Sequence, residues 1–195
     1  QPFAAVDIAH AISKSIRTIA AFILSTAALG ASNKPNVVFI LADDLGYGDL
    51  SHAGVRARTP HCDRLAREGM RFTDAYSCGP NCSPTRAALL TGQYPSRTGV
   101  TTVLTKKVHK FALKEHPRRK SLASEQTTFA ELLGEAGYAT ISLGKWHLGD
   151  NVPSRPQDNG FQETFYHRGG VIGQVGDWFG NNMYDDTYFR DGKPE

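Results

Sequence analysis

The stretch Thr128-Phe129-Ala130-Glu131-Leu132-Leu133-Gly134-Glu135-Ala136-Gly137-Tyr138-Ala139-Thr140-Ile141-Ser142-Leu143-Gly144-Lys145-Trp146-His147-Leu148-Gly149 decides the fold class. Thr128 and Glu131 have capping-box spacing, which predicts a helix over Phe129 to Ala136, and Gly137 ends it. Tyr138 to Leu143 then reads as a strand. A helix followed at once by a strand is one unit of an α/β layer. The same alternation continues upstream. Asn36 to Ala42 is a continuous β-branched apolar run, predicted as a strand buried on both faces, and it ends in Asp43-Asp44. Thr59-Pro60 opens a helix through Glu68 that Gly69 closes, and Met70 to Tyr76 reads as a further extended segment. A second helix follows, with Ser83 predicted as its N-cap and Pro84 as its first residue. Strands alternating with helices predict an α/β protein with a parallel sheet covered on both sides. Ligands in such sheets bind beyond the carboxyl ends of the strands, where Asp43-Asp44 and Gly144 to Gly149 both fall. From Gly160 onward the chain is rich in Gly and aromatic residues without clear periodicity, and it reads as loops with short strands and no closing element.

The chain has 195 residues, 40% hydrophobic and 21% charged, enough for the core of one ordinary domain and too apolar for a disordered chain. Its formal net charge of +3 gives no reason to expect a nucleic-acid partner. Lys14 and Arg17 precede an apolar stretch from Thr18 to Leu29, with small residues at Ala28 and Gly30. Residues 1–30 therefore read as a signal peptide region, too short in its apolar part for a stable membrane span, and export to a periplasmic, secreted or lysosome-like compartment is expected. Residues 31–195 read as the folded part of the chain, with a sheet incomplete at its C-terminus. A basic run, from Lys106-Lys107 through Arg118-Arg119-Lys120, reads as a solvated loop, or alternatively as a surface that attracts a polyanion.

Three groups of residues carry chemistry. In Cys82-Ser83-Pro84-Thr85-Arg86-Ala87-Ala88-Leu89-Leu90-Thr91-Gly92, a thiol stands at a helix start, where free N–H groups and the positive dipole end hold an anion, and an arginine lies one turn inside. On residue type alone Cys82 could equally be buried or disulfide-bonded, with Cys62 and Cys78 nearby. Asp43 and Asp44 are adjacent hard carboxylates suited to Ca²⁺ or Mg²⁺, although a solvated turn explains them as well. Lys145 and His147 flank Trp146 at a strand end, where a cation and an imidazole can bind an anionic ester and handle a proton; a surface lysine and a packed histidine would give the same pattern.

Together these segments resemble the formylglycine-dependent sulfatases of the arylsulfatase type, in the alkaline phosphatase superfamily. Cys82-Ser83-Pro84-Thr85-Arg86 with Thr91-Gly92 matches the Cys-x-Pro-(Ser/Thr)-Arg signature. Pro35 to Leu50 resembles the family's N-terminal metal motif, and Gly137 to Gly149 its second signature. The resemblance implies an alkaline-phosphatase-like fold: a mixed, mainly parallel sheet with helices on both faces. It implies hydrolysis of sulfate esters, with Cys82 as the residue modified to Cα-formylglycine by a formylglycine-generating system. The hydrated aldehyde has two hydroxyls on one carbon, one to attack sulfur and one to expel sulfate. By the same resemblance Asp43, Asp44 and the modified Cys82 hold a divalent cation, Ca²⁺ with Mg²⁺ as the alternative. Arg86 steadies that site, Lys145 binds sulfate and His147 is the base. The family's other metal pair, second lysine and second histidine are expected beyond Glu195. The expected substrate is an aryl or glycan sulfate ester, with a sulfated polysaccharide as one candidate. The rival readings are a formylglycine-dependent phosphonate or phosphate ester hydrolase and a non-catalytic binder of sulfated glycans.

Overall fold

The computed structural model describes residues 34–54, 57–104, 118–172, 177–182, 184 and 186–195. The expected signal peptide region and most of the basic run therefore lie outside the described residues. The chain divides into two units, Gln1–Asp44 and Leu45–Glu195.

In the first unit, residues 34–42 have no regular secondary structure and join no strand ladder, and Val38 and Ile40 are 83% and 82% exposed. The buried strand expected at Asn36 to Ala42 is thus not formed among the described residues. An apolar β-branched run encodes a preference for extended, covered backbone. It does not encode which distant strand will supply the hydrogen bonds.

The second unit opens with a 3-10 turn at Ser51–Ala53 and α1 at Pro60–Glu68. Thr59 and Gly69 bound α1 as expected. Ser51 ties the two elements together, its hydroxyl donating to Asp63 Oδ2 at 2.6 Å. Met70 to Tyr76, expected to be extended, forms no strand and bends at Thr73 and Asp74. Next come α2 (Cys82–Thr91), the single turn α3 (Pro95–Thr98) and α4 (Phe129–Glu135). The sheet follows in the order β1 (Ile141–Lys145), β2 (Glu163–His167), β3 (Phe189–Arg190) and β4 (Lys193–Pro194). β1 and β2 are parallel, whereas β3 and β4 add antiparallel pairings, so the sheet is mixed. The tail beyond Gly160 supplies β2 to β4, as short as its composition suggests.

The capping box predicted for α4 is present. The Thr128 N–H donates to Glu131 Oε2 at 2.6 Å and the Glu131 N–H donates to Thr128 Oγ1 at 3.2 Å. The same Thr128 hydroxyl donates to the Asn159 carbonyl at 2.9 Å, fastening the helix start to the 3-10 turn Pro156–Asn159. Arg155 and Asp158 brace that turn with a 2.7 Å ion pair. β1 begins three residues later than expected. The Tyr138 N–H is used to cap α4 on the Leu133 carbonyl, and the Thr140 carbonyl accepts from Gln162 and Glu163 before pairing begins. The core lies between the helices and the sheet: Ala87 and Leu90 of α2 pack with Val100, Leu122, Trp146, Leu148, Tyr166 and Phe189. Phe161 stands edge-on to both Phe129 and Trp146, at 6.4 and 6.0 Å between centroids.

Gly160 sets the closest backbone approach in this assembly. It has φ +92°, and a Cβ there would lie 2.4 Å from the Glu131 nitrogen. Gly160→Ala therefore meets both a left-handed backbone and a clash with the capped first turn. Thr128→Ala loses both the cap and the bond to the Asn159 carbonyl, and is expected to cost about 2 kcal/mol. Thermal unfolding of the full-length protein is expected to rank Gly160→Ala as the more damaging change.

Candidate active site

The helix carrying the first motif starts earlier than its sequence suggests. Asn81 is the N-cap, with φ −131° and ψ 166°, and Cys82 is the first helical residue. Pro84 sits inside the first turn, where a missing N–H costs nothing because the first four donors of a helix have no intrahelical acceptor. Ser83 is not the cap. Its side chain is fully buried, and its hydroxyl accepts a long 3.4 Å bond from the Leu104 N–H. The loop before the helix folds back over this start. The Thr85 hydroxyl donates to the Gly79 carbonyl at 2.8 Å, and a Cβ on Gly79 would come within 3.1 Å of the Pro84 ring. Cys82 is half-buried and free, and Cys62 and Cys78 are exposed and free, so no disulfide claims the thiol. A free thiol at the first position of a helix fits a residue open to conversion and to an anionic ligand.

Arg86, one turn further, connects two of the motifs. Its Nη1 donates to the Lys145 carbonyl at 2.6 Å, across 59 residues of sequence. The segment it reaches is shaped by unusual backbone. Gly144 has φ +88°, His147 φ +58° and Gly149 φ +129°. Left-handed φ is routine for glycine and tolerated by histidine better than by most residues. Between these turns Trp146 and Leu148 point into the core, 3% and 0% exposed. The Trp146 indole N–H donates to the Ser154 carbonyl at 2.8 Å, and the Leu122 N–H to the Leu148 carbonyl at 2.8 Å. A side chain at Gly149 would meet Ser154 Cβ at 2.5 Å. Apolar anchors at alternate positions thus hold Lys145 and His147 in place, with Lys145 half-buried and His147 only 8% exposed. In the first unit, Asp43 and Asp44 are exposed and lie at a bend after the apolar segment, Asp44 with φ +58°. As a donor set, two hard carboxylates fit an oxygen-seeking divalent cation.

Three residues that the sequence reading passed over stand at the same edge of the sheet. His167 is in register with Lys145 across the parallel β1–β2 ladder. It is 7% exposed, and its Nδ1 lies 3.1 Å from the Arg168 carbonyl. Asp150 Oδ1 accepts the Gly169 N–H at 3.1 Å, joining the exit of β1 to the exit of β2. Burial lifts the Asp150 carboxyl above the usual range, against the lowering effects of that hydrogen bond and of the Arg168 charge. Strand alternation in Glu163 to His167 was the available signal. The short length of β2 hid it.

The family model described as Sulfatase matches residues 35–193. N-acetylgalactosamine-6-sulfatase of Canis lupus familiaris is 43% identical over 147 residues, covering 73% of this chain and 28% of the relative. Arylsulfatase G of the same species is 44% identical over 133 residues, covering 68% and 23%. Among solved structures, Ps i-CgsB superposes with a TM-score of 0.65 at 32% identity, over 84% of this chain and 37% of that one. A Bacteroides thetaiotaomicron sulfatase, described with metabolism of multiple glycosaminoglycans, gives 0.64 at 33%, over 84% and 32%. The chain belongs to the sulfatase family and has its alkaline-phosphatase-like fold. It spans about a quarter of the length of these curated relatives.

Asp150 gives a pH test of the site's frame. Its folded-state pKa is raised above the unfolded value of ~3.9, so the folded state holds the proton more tightly, and stability falls as pH rises through the window between the two values. Asp150→Asn keeps an oxygen for the Gly169 N–H and removes the ionisation. It is expected to flatten that fall, measured by denaturant unfolding of the full-length protein across pH 3 to 7, a span set to bracket ~3.9.

Proposed function

We propose that the protein hydrolyses sulfate esters, with Cys82 as the precursor of a Cα-formylglycine. One observation carries this reading: the unbroken signature Cys82 to Gly92 forms a helix whose first residue is a free thiol and whose Arg86 reaches the backbone of Lys145. The converted residue supplies two hydroxyls on one carbon, so that an ester bond to sulfur can be made and then released. Asp43 and Asp44, with the converted side chain of residue 82, would hold Ca²⁺ or Mg²⁺; when bound, the cation draws charge from sulfate oxygens and makes a hydroxyl more acidic.

The chain's own residues account for the remaining steps. Arg86 fixes the carbonyl of Lys145 and so the point from which the Lys145 side chain leaves the strand. The Lys145 ammonium binds a sulfate oxygen and offsets the charge that grows there. His147, turned out of strand geometry, takes a hydroxyl proton as sulfate departs. The seated substrate is a sulfated glycan. Support comes from relatives named as sulfatases of N-acetylgalactosamine and from a structure of Ps i-CgsB in complex with k-i-k-neocarrahexaose. Export through the signal peptide region 1–30 would bring the enzyme to such substrates; among the described residues no helix is long and apolar enough to cross a membrane.

Cys82 is the direct test. In active full-length protein the residue is expected to react with hydrazide reagents and to show loss of sulfur by peptide mass, while Cys82→Ala is inactive and chelation inhibits the wild type. An active enzyme with an intact thiol at residue 82, or with that residue in a disulfide, overturns the assignment. Lys145→Ala is expected to lower kcat/KM by ~2–4 kcal/mol in transition-state free energy, as for loss of one preorganised electrostatic donor. Steady-state kinetics on sulfate and phosphate esters of one alcohol would measure this and separate a sulfatase from a phosphoesterase.

A further inference from the structure

Asp150, Arg168 and Asp177 converge where β1 and β2 leave the sheet, and none of the steps above uses them. The two strands are parallel, so both exits lie on one edge, and Lys145 is in register with His167, the neighbour of Arg168. Asp150 accepts the Gly169 N–H, and the charges of Arg168 and Asp177 both act on it. The Arg168 guanidinium carbon lies 3.9 Å from the centroid of the Phe189 ring, and among the described residues its buried Nε has no acceptor.

Asp177 leads directly into Trp178, and buried Asn181 ties Asp177 to Thr187. The Asn181 Nδ2 donates to Asp177 Oδ2 at 3.2 Å and to the Thr187 carbonyl at 2.9 Å, while its Oδ1 accepts the Thr187 N–H at 2.7 Å. The Trp178 indole rests edge-on against Phe189 at 5.9 Å and remains 44% exposed. A half-open indole thus stands on the same phenyl ring that carries Arg168.

The mixture of groups selects among ligands. Two carboxylates around one guanidinium leave no net positive charge, which disfavours a second anionic group. They do suit neutral hydroxyls, which donate to the carboxylates and accept from the guanidinium. A half-exposed indole offers a face for the C–H surface of a ring. Hydroxyls and an apolar C–H face together describe a pyranose. A phenol has no hydroxyls to spare for the charged groups.

We propose that Asp150, Arg168, Asp177 and Trp178 form a subsite for the sugar ring that carries the sulfate ester, so that the leaving group is a pyranose hydroxyl. This rests on the sulfate-ester reading above and names the alcohol side of the same site. Arg168 and Trp178 are then specificity-determining residues. The competing account is internal: Arg168 covers Phe189 and balances Asp150, and Trp178 fills the surface beside them.

The test compares kcat/KM of the full-length, converted enzyme on 4-nitrophenyl sulfate with that on a panel of hexose and N-acetylhexosamine sulfates. Trp178→Ala and Arg168→Ala are expected to lower the ratio of sugar to aryl activity about tenfold, and Trp178→Tyr to restore most of it by keeping a stacking face. A ratio unchanged within about twofold, with both activities falling together or neither moving, supports the internal account and overturns the subsite. A wild type that hydrolyses the aryl ester and no sugar sulfate overturns it too. If the wild type hydrolyses no sulfate ester, the sulfatase reading fails on its own. The subsite is then decided by binding of the full-length Cys82→Ala protein to immobilised carrageenan oligosaccharides. Weaker binding with added Trp178→Ala supports the subsite, and equal binding overturns it.

Discussion

The 2.6 Å contact from Arg86 Nη1 to the Lys145 carbonyl is the interaction on which the arrangement of the site depends. Arg86 lies one turn inside the helix that begins with Cys82, and Lys145 is the last residue of β1. This contact adds a directed bond to the packing that relates the helix start to the strand end. A guanidinium bond to a carbonyl is charge-assisted and directional, and it is half-buried here, so water competes with it weakly. A lysine in place of Arg86 would keep the charge and lose the planar array of donors that lets one guanidinium serve a carbonyl and still face the helix start. The core makes the contact possible, because Ala87 and Leu90 on the inner face of α2 pack against Trp146 and Leu148 in the loop beyond β1.

That loop is also where the backbone departs furthest from regular geometry. Positive φ at Gly144, His147 and Gly149 breaks the strand within a few residues. A left-handed histidine is a small store of strain, on the order of 1 kcal/mol or more, and it persists only where the surroundings over-determine it. Here they do. Trp146 is tied by its indole N–H and Leu148 by its carbonyl, one on each side of His147, so relaxing the histidine would pull two buried residues out of the core. The turn sets a titratable ring, still largely buried, just past the strand end, where continued strand geometry would have aimed it at one face of the sheet.

Much of this was legible in the sequence, in the places where local chemistry is decisive. The Thr128–Glu131 capping box, the Pro60–Glu68 helix and the short strands after Gly160 follow from rules that need only neighbouring residues. The failures lie where distant parts of the chain compete for the same groups. Ser83 has the side chain of an N-cap, but tertiary packing buries it and hands the position to Asn81. Tyr138 reads as a strand residue, yet its N–H caps α4. Asn36 to Ala42 has strand composition and joins no ladder among the described residues. Asp150, His167 and Arg168 went unread because their meaning comes from register. Lys145 and His167 become neighbours only once β1 and β2 are paired.

The pairing itself explains why chemistry gathers on one edge of a mixed sheet. Parallel strands leave the sheet in the same direction, so the segments after Lys145 and after His167 are adjacent, and a single hydrogen bond from Gly169 to Asp150 is enough to join them. β3 runs antiparallel to β2 and so begins at that edge, while β4 runs in the direction of β2. The loop before β3 therefore approaches the same edge, and there Asn181 anchors Asp177 and Trp178 to Thr187. Polar groups from three separate stretches of chain thus meet above one layer of buried aromatic rings, Tyr166 and Phe189. The rings supply a low-dielectric floor. Above such a floor the charge–charge interaction of Asp150 with Arg168 is stronger than it would be on an open surface.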